Sequence, residues 1–524
     1  MLEALDTAAR EHFSPLVARA RQFRDKIETF PLQRFQRLLI LAGIVLVYLL
    51  VTSLQARREL WHDELYTYYI AKAPSISQLF QEIKLDLNPP LMYLAERASL
   101  HVLGDNNYAA RFPSIIAFLF GSLCFYAFVS RRLRPVYGIL AMLVFWSTPF
   151  EYYATEARPY GLIIGFFGLA LLAWDKAVEP NRSASSIWTL ALAVLGMAAS
   201  HFFAVIYVFP FCLAELLRWY RRRKFDLAMW ASLLLPLGLL FIYKPLMMRY
   251  ESGKFPSTAQ ASPLKIAGFF YRMLQPESLF LLIALCAGLV LITRFDFRRL
   301  INGRRLAALD WALICGLLFI PVAVNLAIMR SHGVAFPRYS GPALFAVALL
   351  FAWLLGRMAN FGRIPGAAAC CVLFAYSMGA AAPAAVKQLV GRSNETQAPS
   401  PIVQVRPDLP LVANSGLSFI ELDRYGDPST VERLYYLTNR DYAIKYAHAT
   451  IFEGMAYLKH FFPIRATVEP YDQFIAEHHT FLVLGQVNYP EDWLLRRLMD
   501  IHATLVYLGD YYGQQLYQVI MPPA

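Results

Sequence analysis

Residues Trp61-His62-Asp63-Glu64-Leu65-Tyr66 set two adjacent carboxylates among aromatic rings, with Tyr68 and Tyr69 just beyond. A carboxylate within hydrogen-bond reach of a hydroxyl can take its proton, and aromatic walls beside a carboxylate suit a sugar. The plain alternative is an aromatic belt at a membrane surface with solvated acids. Further on lies Asp86-Leu87-Asn88-Pro89-Pro90-Leu91-Met92-Tyr93. Its two prolines predict a non-helical turn and end any helix before Asn88. In Ala110-Arg111-Phe112-Pro113-Ser114, Pro113 suits a first helical turn and Arg111 can sit at a membrane face. The segment Glu151 to Tyr160 offers a further carboxylate, Glu156, beside Arg158. These two either pair at the surface for little energy, or tune another acid or hold a substrate hydroxyl.

A membrane-embedded frame must carry these residues. Of 524 residues, 57% are apolar and 16% charged, against about 25% charged in an ordinary soluble domain. This excludes a disordered chain, a fibrous one and an ordinary cytosolic enzyme. A crossing helix needs roughly 20 apolar residues. Candidate runs lie near 37–54, 112–130, 136–150, 160–174, 187–200, 202–217, 227–243, 278–293, 309–328, 341–355 and 364–385, about eleven spans. The short link at 200–202 predicts a tight hairpin. The net charge of +12 needs no nucleic acid, because Arg-dense short loops fall on one predicted side. They hold Arg131, Arg132 and Arg134, then Arg218 and Arg221 to Lys224, then Arg294, Arg298, Arg299, Arg304 and Arg305, then Arg357 and Arg363. By the positive-inside rule that side is cytoplasmic.

Residues 1–36 read as an uncleaved, basic cytoplasmic leader, either lying on anionic membrane lipids or simply solvated. Residues 37–390 read as the transmembrane domain, with a long outer loop at 55–111, and an odd number of spans leaves the C-terminus outside. Residues 391–524 read as a separate extracytoplasmic α/β domain with a mixed sheet. Its short apolar runs are Leu409–Val412, Phe419–Leu422, Leu434–Leu437, Phe481–Leu484, Thr504–Leu508 and Leu516–Ile520, and the turn signals Gly509-Asp510 and Gly513 predict a closing hairpin. The six cysteines all fall in apolar runs and read as small core residues without disulfides. No Cys/His spacing suits a metal.

Taken in order, the DE pair after the first span, the PPL-Y element, the ARFPS-type start of the second span and the EARPY-type loop resemble the GT-C superfamily of membrane glycosyltransferases. The nearest branch is the protein O-mannosyltransferase and aminoarabinose-transferase-like family. The resemblance covers about residues 37–390, strongest over 60–160, and does not reach the C-terminal domain at motif level. Relatives often carry Lys or His where this chain has Asn88, which implies altered donor recognition. The resemblance implies a GT-C fold and an inverting transferase on the non-cytoplasmic face. The donor is a polyprenyl-phosphate sugar and the acceptor an envelope lipid, glycan or protein. Asp63 matches the family's acidic catalytic position and Glu64 its partner, with Glu156 as a second site for a carboxylate. Positive charge at the anomeric carbon can be stabilised by such a group.

A departing polyprenyl phosphate needs cations, and Arg or Lys can supply charge-assisted bonds in place of a metal; no cofactor is expected. One outer loop holds Lys244, Arg249, Lys254, Lys265 and Arg272. The other runs from Arg330 through His332 to Arg338-Tyr339, and its cations stand where the positive-inside bias predicts few. Arg338-Tyr339 resembles the family's late RY element. The alternative for these cations is snorkelling to lipid headgroups. His62 and His332 are lone imidazoles, either structural or in contact with substrate. Tyr66, Asp86, Asn88, Arg111, Arg158 and Arg330 complete the candidate substrate-binding set.

Two other functions fit a polytopic chain. A transporter or lipid flippase places ionisable residues at the bilayer midplane, whereas the acids here gather at the outer ends of the spans. A non-catalytic sensor or scaffold built on the outer domain has no need of the DE pair.

Overall fold

The computed structural model describes residues 34–86, 88–248, 263–293, 305–331, 336–390, 401–447, 459–487, 489 and 493–522. Most of the leader expected at 1–36 and of the linker after Gly391 lies outside these residues.

Each candidate span read from the sequence falls on helix. By length and composition, five helices can cross a membrane: Phe35–Gln55, Asn107–Arg132, Tyr160–Ala177, Ala308–Arg330 and Arg363–Leu389. A pair bent by 78°, Gly268–Leu274 with Glu277–Gly288, makes up to six. Pro135–Trp146, Ala184–Ser200, Leu227–Tyr243 and Ala343–Met358 are apolar but shorter. The expected eleven full spans are therefore, among the described residues, five or six full-length helices with shorter and broken ones between them. Prolines explain two of the breaks. Pro210 follows the interruption at Val208, and Pro236 sits in a 3-10 turn, Leu235–Gly238. At 200–202 the helix ends at Ser200 and a short helix, Ala204–Tyr207, begins just beyond; the tight hairpin expected there remains an expectation.

Helices Asn107–Arg132 and Tyr160–Ala177 pack backbone to backbone. A Cβ at Gly121 would overlap the carbonyl of Ile164, and one at Gly168 would overlap Gly121 itself. This close approach brings Arg111, near the start of one helix, beside the segment before Tyr160. At the other ends, Arg131 and Arg132 both pair with Asp175, at 2.5 and 2.8 Å. Pro113 does not occupy a first turn. Asn106 caps the helix earlier, accepting from the Ala109 N–H at 2.9 Å, so Pro113 falls well inside it. Its missing N–H frees the Ala109 carbonyl, and the Ser99 hydroxyl donates to that oxygen at 2.6 Å.

The expected outer loop 55–111 is itself helical, with His62–Ala71, Ile76–Asp86 and Leu91–Leu103. The second helix ends at Asp86, just before the prolines, as their rigidity dictates. The C-terminal residues form a six-stranded mixed sheet in the order β3-β2-β1-β4-β6-β5. The strands are β1 Leu411–Ala413, β2 Leu434–Thr438, β3 Thr467–Pro470, β4 Thr480–Gly485, β5 Thr504–Tyr511 and β6 Gln514–Ile520. β3, β2, β1 and β4 run parallel, and β6 and β5 add an antiparallel closing hairpin. Its turn places Tyr512 and Gly513 at positive φ. The run Phe419–Leu422 lies in a helix, Gly416–Tyr425, rather than in the sheet.

Both faces of the sheet are covered, which is why its central strands are continuous apolar runs. Val412, Phe481 and Val483 face a cluster with Leu498 and Phe474. Leu411, Leu482 and Leu484 face a different cluster shared with Leu65, Tyr69 and Ile70 of helix His62–Ala71. The C-terminal domain and the DE-bearing helix thus share one apolar core. Of the six cysteines, only Cys124 is buried, and Cys315 and Cys371 lie exposed on their helices. The core role expected of all six fails for those two because an apolar run in a bundle also has an outward face.

Candidate active site

Asp63 and Glu64 occupy the first turn of helix His62–Ala71 and point to different surroundings. Glu64 is fully buried. Its Oε1 accepts from Arg111 Nε at 2.7 Å and from the Ala157 N–H at 2.7 Å. Its Oε2 accepts from Arg111 Nη2 at 2.5 Å and from the Trp61 N–H at 3.2 Å. Arg111, equally buried, also donates to the carbonyls of Ala56 at 2.9 Å, Arg58 at 2.5 Å and Glu59 at 2.8 Å. A guanidinium has five N–H donors, and Arg111 has used them all. The pair ties the C-terminal end of the first span, the DE helix, the second span and the EARPY segment into one knot. Arg111 is therefore not at an open membrane face.

Asp63 keeps 27% of its side chain exposed, and its Oδ2 lies 3.4 Å from Arg338 Nη2. Arg338 comes from the 3-10 turn Pro337–Ser340. Its guanidinium sits among Trp61, Tyr160, Phe336 and Tyr339, with ring centroids 4.3–5.9 Å away. Its Nε is buried without a hydrogen-bond partner among the described residues. Tyr339 is held by its carbonyl, which accepts from Tyr207 Oη at 2.8 Å. His201 packs on Tyr160 and Tyr339. Burial, with Arg158 and Arg338 near, pushes its imidazole down to about 3, so it is neutral.

Arg158 binds Asp86, not Glu156. Its Nη1 donates to Asp86 Oδ2 at 2.7 Å, to the Asp63 carbonyl at 3.0 Å and to Thr67 Oγ1 at 3.0 Å. Asp86 Oδ2 also accepts from Tyr93 Oη at 2.8 Å and from Asn88 Nδ2 at 3.3 Å. Burial raises the Asp86 carboxyl even so, against the pull of Arg158. Glu156 is 1% exposed, and its Oε2 has no hydrogen-bond partner among the described residues. Burial first, then the charge of Glu64, pushes its carboxyl up to about 8 against Arg338, Arg158 and Arg58. Glu156 is thus mostly protonated at neutral pH.

Asp63, Asp86, Glu156, Arg158, Arg338 and Tyr339 accordingly gather in one region. Arg330 is exposed at the end of its helix and Arg272 is also exposed. His332, Arg249 and Lys254 lie outside the described residues. Tyr66 is buried edge-on against Phe462, and burial raises its phenol. Among the described residues, no group of three or more His, Cys, Asp and Glu side chains is arranged to hold a metal ion.

Sequence reasoning missed the C-terminal helix Gly416–Tyr425, which lies on the DE helix. Glu421 Oε1 accepts from the His62 backbone N–H at 2.8 Å and lies 2.9 Å from His62 Nδ1. The Leu60 N–H donates to Tyr425 Oη at 2.8 Å, and Arg424 Nη2 donates to Tyr68 Oη at 3.2 Å. His62 thus stands between Glu421 and Asp63, whose Oδ1 is 4.0 Å from Nε2. Nothing in the local sequence of that helix signals this role; only the sheet brings it there.

Residues 87–248 match the family model for dolichyl-phosphate-mannose-protein mannosyltransferase. That segment begins after Asp63 and Glu64 and contains Asn88, Arg111, Glu156 and Arg158. The fold is similar to that of ArnT from Cupriavidus metallidurans in the apo state, with a TM-score of 0.52 and 11% identity over 91% of this chain and 97% of that one. The same protein bound to undecaprenyl phosphate gives 0.50 and 13%, over 92% and 97%. Such coverage exceeds what residues 37–390 alone could supply, so the likeness in fold extends into the C-terminal domain. No curated protein matches the chain in sequence. The resemblance to GT-C membrane glycosyltransferases read from the loop motifs thus holds as a family match over residues 87–248 and as a shared fold over nearly the whole chain.

Proposed function

We propose that this chain is an inverting glycosyltransferase of the plasma membrane, the inner one in a bacterium. In this reading it moves a hexose or pentose from a polyprenyl-phosphate donor to an envelope lipid, glycan or protein on the non-cytoplasmic face. The leader is cytoplasmic, residues 37–390 form the transferase domain and residues 391–524 stand outside. The observation that carries the reading is the meeting of Asp63 with Arg338 beside Glu156, a carboxylate next to a guanidinium with aromatic walls. The ArnT fold bound to undecaprenyl phosphate supports the choice of donor.

Asp63 is the base. The acceptor O–H proton passes to its carboxylate as the acceptor oxygen bonds to the anomeric carbon. The bond from that carbon to the phosphate oxygen breaks on the opposite side. The phosphate leaves with the electron pair, and Arg338 neutralises its charge. Phosphate binding also draws Arg338 away from Asp63 and frees the base. Glu156, holding its proton, donates a hydrogen bond to substrate and brings no repulsive charge. Glu64 is a positioning residue through Arg111. The site needs no metal in this scheme because arginine supplies the positive charge.

The test is transfer from a radiolabelled undecaprenyl-phosphate sugar by the purified chain in nanodiscs. Asp63→Asn should abolish transfer while donor binding persists; undiminished transfer removes Asp63 as base. Mass spectrometry of envelope glycans from a deletion strain should lack one hexose or pentose. Lipid translocation without sugar release would favour a flippase instead.

A further inference from the structure

A cavity of about 250 Å³ opens where the C-terminal domain meets the first outer segment. Its lining includes Trp61, Ser418, Glu421, Tyr425, Tyr512 and Gln514. Three parts of the chain build it: the segment before the DE helix, the helix Gly416–Tyr425, and the β5–β6 hairpin with its left-handed Tyr512. It is slightly smaller than the ~300–1,000 Å³ of pockets for drug-sized ligands, room for one ring and not for a chain of them.

The lining has the chemistry of a carbohydrate site. Indole and phenol rings offer flat apolar faces to C–H groups. A carboxylate, an amide and a hydroxyl bond to ring hydroxyls. Two lining residues carry an unused polar atom. Trp61 Nε1 and Gln514 Oε1 are buried without a hydrogen-bond partner among the described residues. One is a donor and the other an acceptor, as a sugar hydroxyl is both, but each is closed off from the cavity as it stands and is reached only by a small shift of the indole or the hairpin.

The cavity is also coupled to the acid cluster. Trp61 lines it and faces the Arg338 guanidinium at 5.9 Å. Glu421 lines it and holds His62, whose Nε2 is 4.0 Å from Asp63. We infer that the cavity binds a non-reacting monosaccharide unit of a glycan-bearing acceptor, so that a neighbouring hydroxyl reaches Asp63. This rests on the transferase reading above and names its acceptor as a saccharide.

The experiment uses the full chain in nanodiscs and saturation-transfer NMR with methyl glycosides of glucose, mannose, galactose and N-acetylglucosamine as probes. At least one glycoside should receive saturation, and Gln514→Ala and Tyr512→Ala should each weaken its binding by about tenfold, as expected for losing one well-placed contact. Tyr512 and Gln514 lie at a surface hairpin, and a circular dichroism melt checks that each variant is folded. No binding by any of the four glycosides, or binding unchanged in both folded variants, overturns the proposal. Transfer from radiolabelled undecaprenyl-phosphate sugar to an envelope extract by the wild-type chain is followed in parallel, because the donor bond breaks only as an acceptor oxygen attacks. Glycoside binding without donor turnover keeps the saccharide site and overturns the transferase; turnover without glycoside binding does the reverse.

Discussion

Glu64 and Arg111 neutralise each other with no exposed surface on either side chain, closing a salt bridge at 2.5 Å between the DE helix and the second span. Asp63, one residue earlier, is open to solvent and faces Arg338. The two adjacent acids therefore differ in what their loss should cost. Removing one partner of a buried pair destabilises by about 3–5 kcal/mol, so Arg111→Ala and Glu64→Gln should lower the thermal midpoint sharply. Asp63→Asn should leave it nearly unchanged while abolishing sugar transfer. Differential scanning fluorimetry beside a transfer assay separates the two, and a stable Glu64→Gln variant would contradict the structural role.

Arg338→Ala should weaken donor binding. A charged hydrogen bond is worth about 1.5–3 kcal/mol, or roughly 10- to 150-fold in Kd. Titration with undecaprenyl phosphate by microscale thermophoresis reads this directly. Donor affinity equal to wild type would remove Arg338 as the phosphate partner.

Glu156 makes stability depend on pH. Its folded carboxyl titrates near 8, against 4.5 for the ordinary group. Between those values the folded chain holds a proton that the unfolded chain has released. Its contribution is fully present below the lower value and is lost as pH rises through the upper one, at up to about 1.4 kcal/mol per pH unit. Glu156→Gln keeps a neutral side chain and should flatten the slope. Melting midpoints of wild type and variant at about pH 5 and about pH 9 should diverge, with the wild type losing more at high pH. Parallel curves would show that Glu156 does not titrate in this window.

Ser99→Ala should cost about 1–3 kcal/mol, because it leaves the Ala109 carbonyl buried and unpaired beside Pro113. Pro113→Ala in the same background restores the helical N–H and should recover part of that loss. A double-mutant cycle in thermal melts measures the coupling, and additive effects would show that Ser99 does not serve this carbonyl.

The frame and the order of the outer motifs were legible because each rests on local chemistry: apolar runs of spanning length, paired prolines, Arg-dense turns. Asp63 and Arg338, which the family resemblance assigns to one site, lie 3.4 Å apart. Glu64 was not legible as a strut. Adjacent carboxylates look alike in sequence, while a helix turns them about 100° apart, here towards different partners. Pro113 lies deeper in its helix than its own signal predicts, because Asn106 caps the helix earlier. Strand β3, polar at a sheet edge, left no apolar signal. Glu421 and Tyr425 were invisible as site supports, since only the folded sheet sets their helix against His62.

That last contact spans 359 residues of sequence. At roughly 5–20 residues per second, the ribosome needs on the order of 20–70 s after placing His62 before it delivers Glu421. Through that interval the DE helix lacks the support of helix Gly416–Tyr425. The DE helix is thus completed by a helix made long after it, and competence waits on that later arrival.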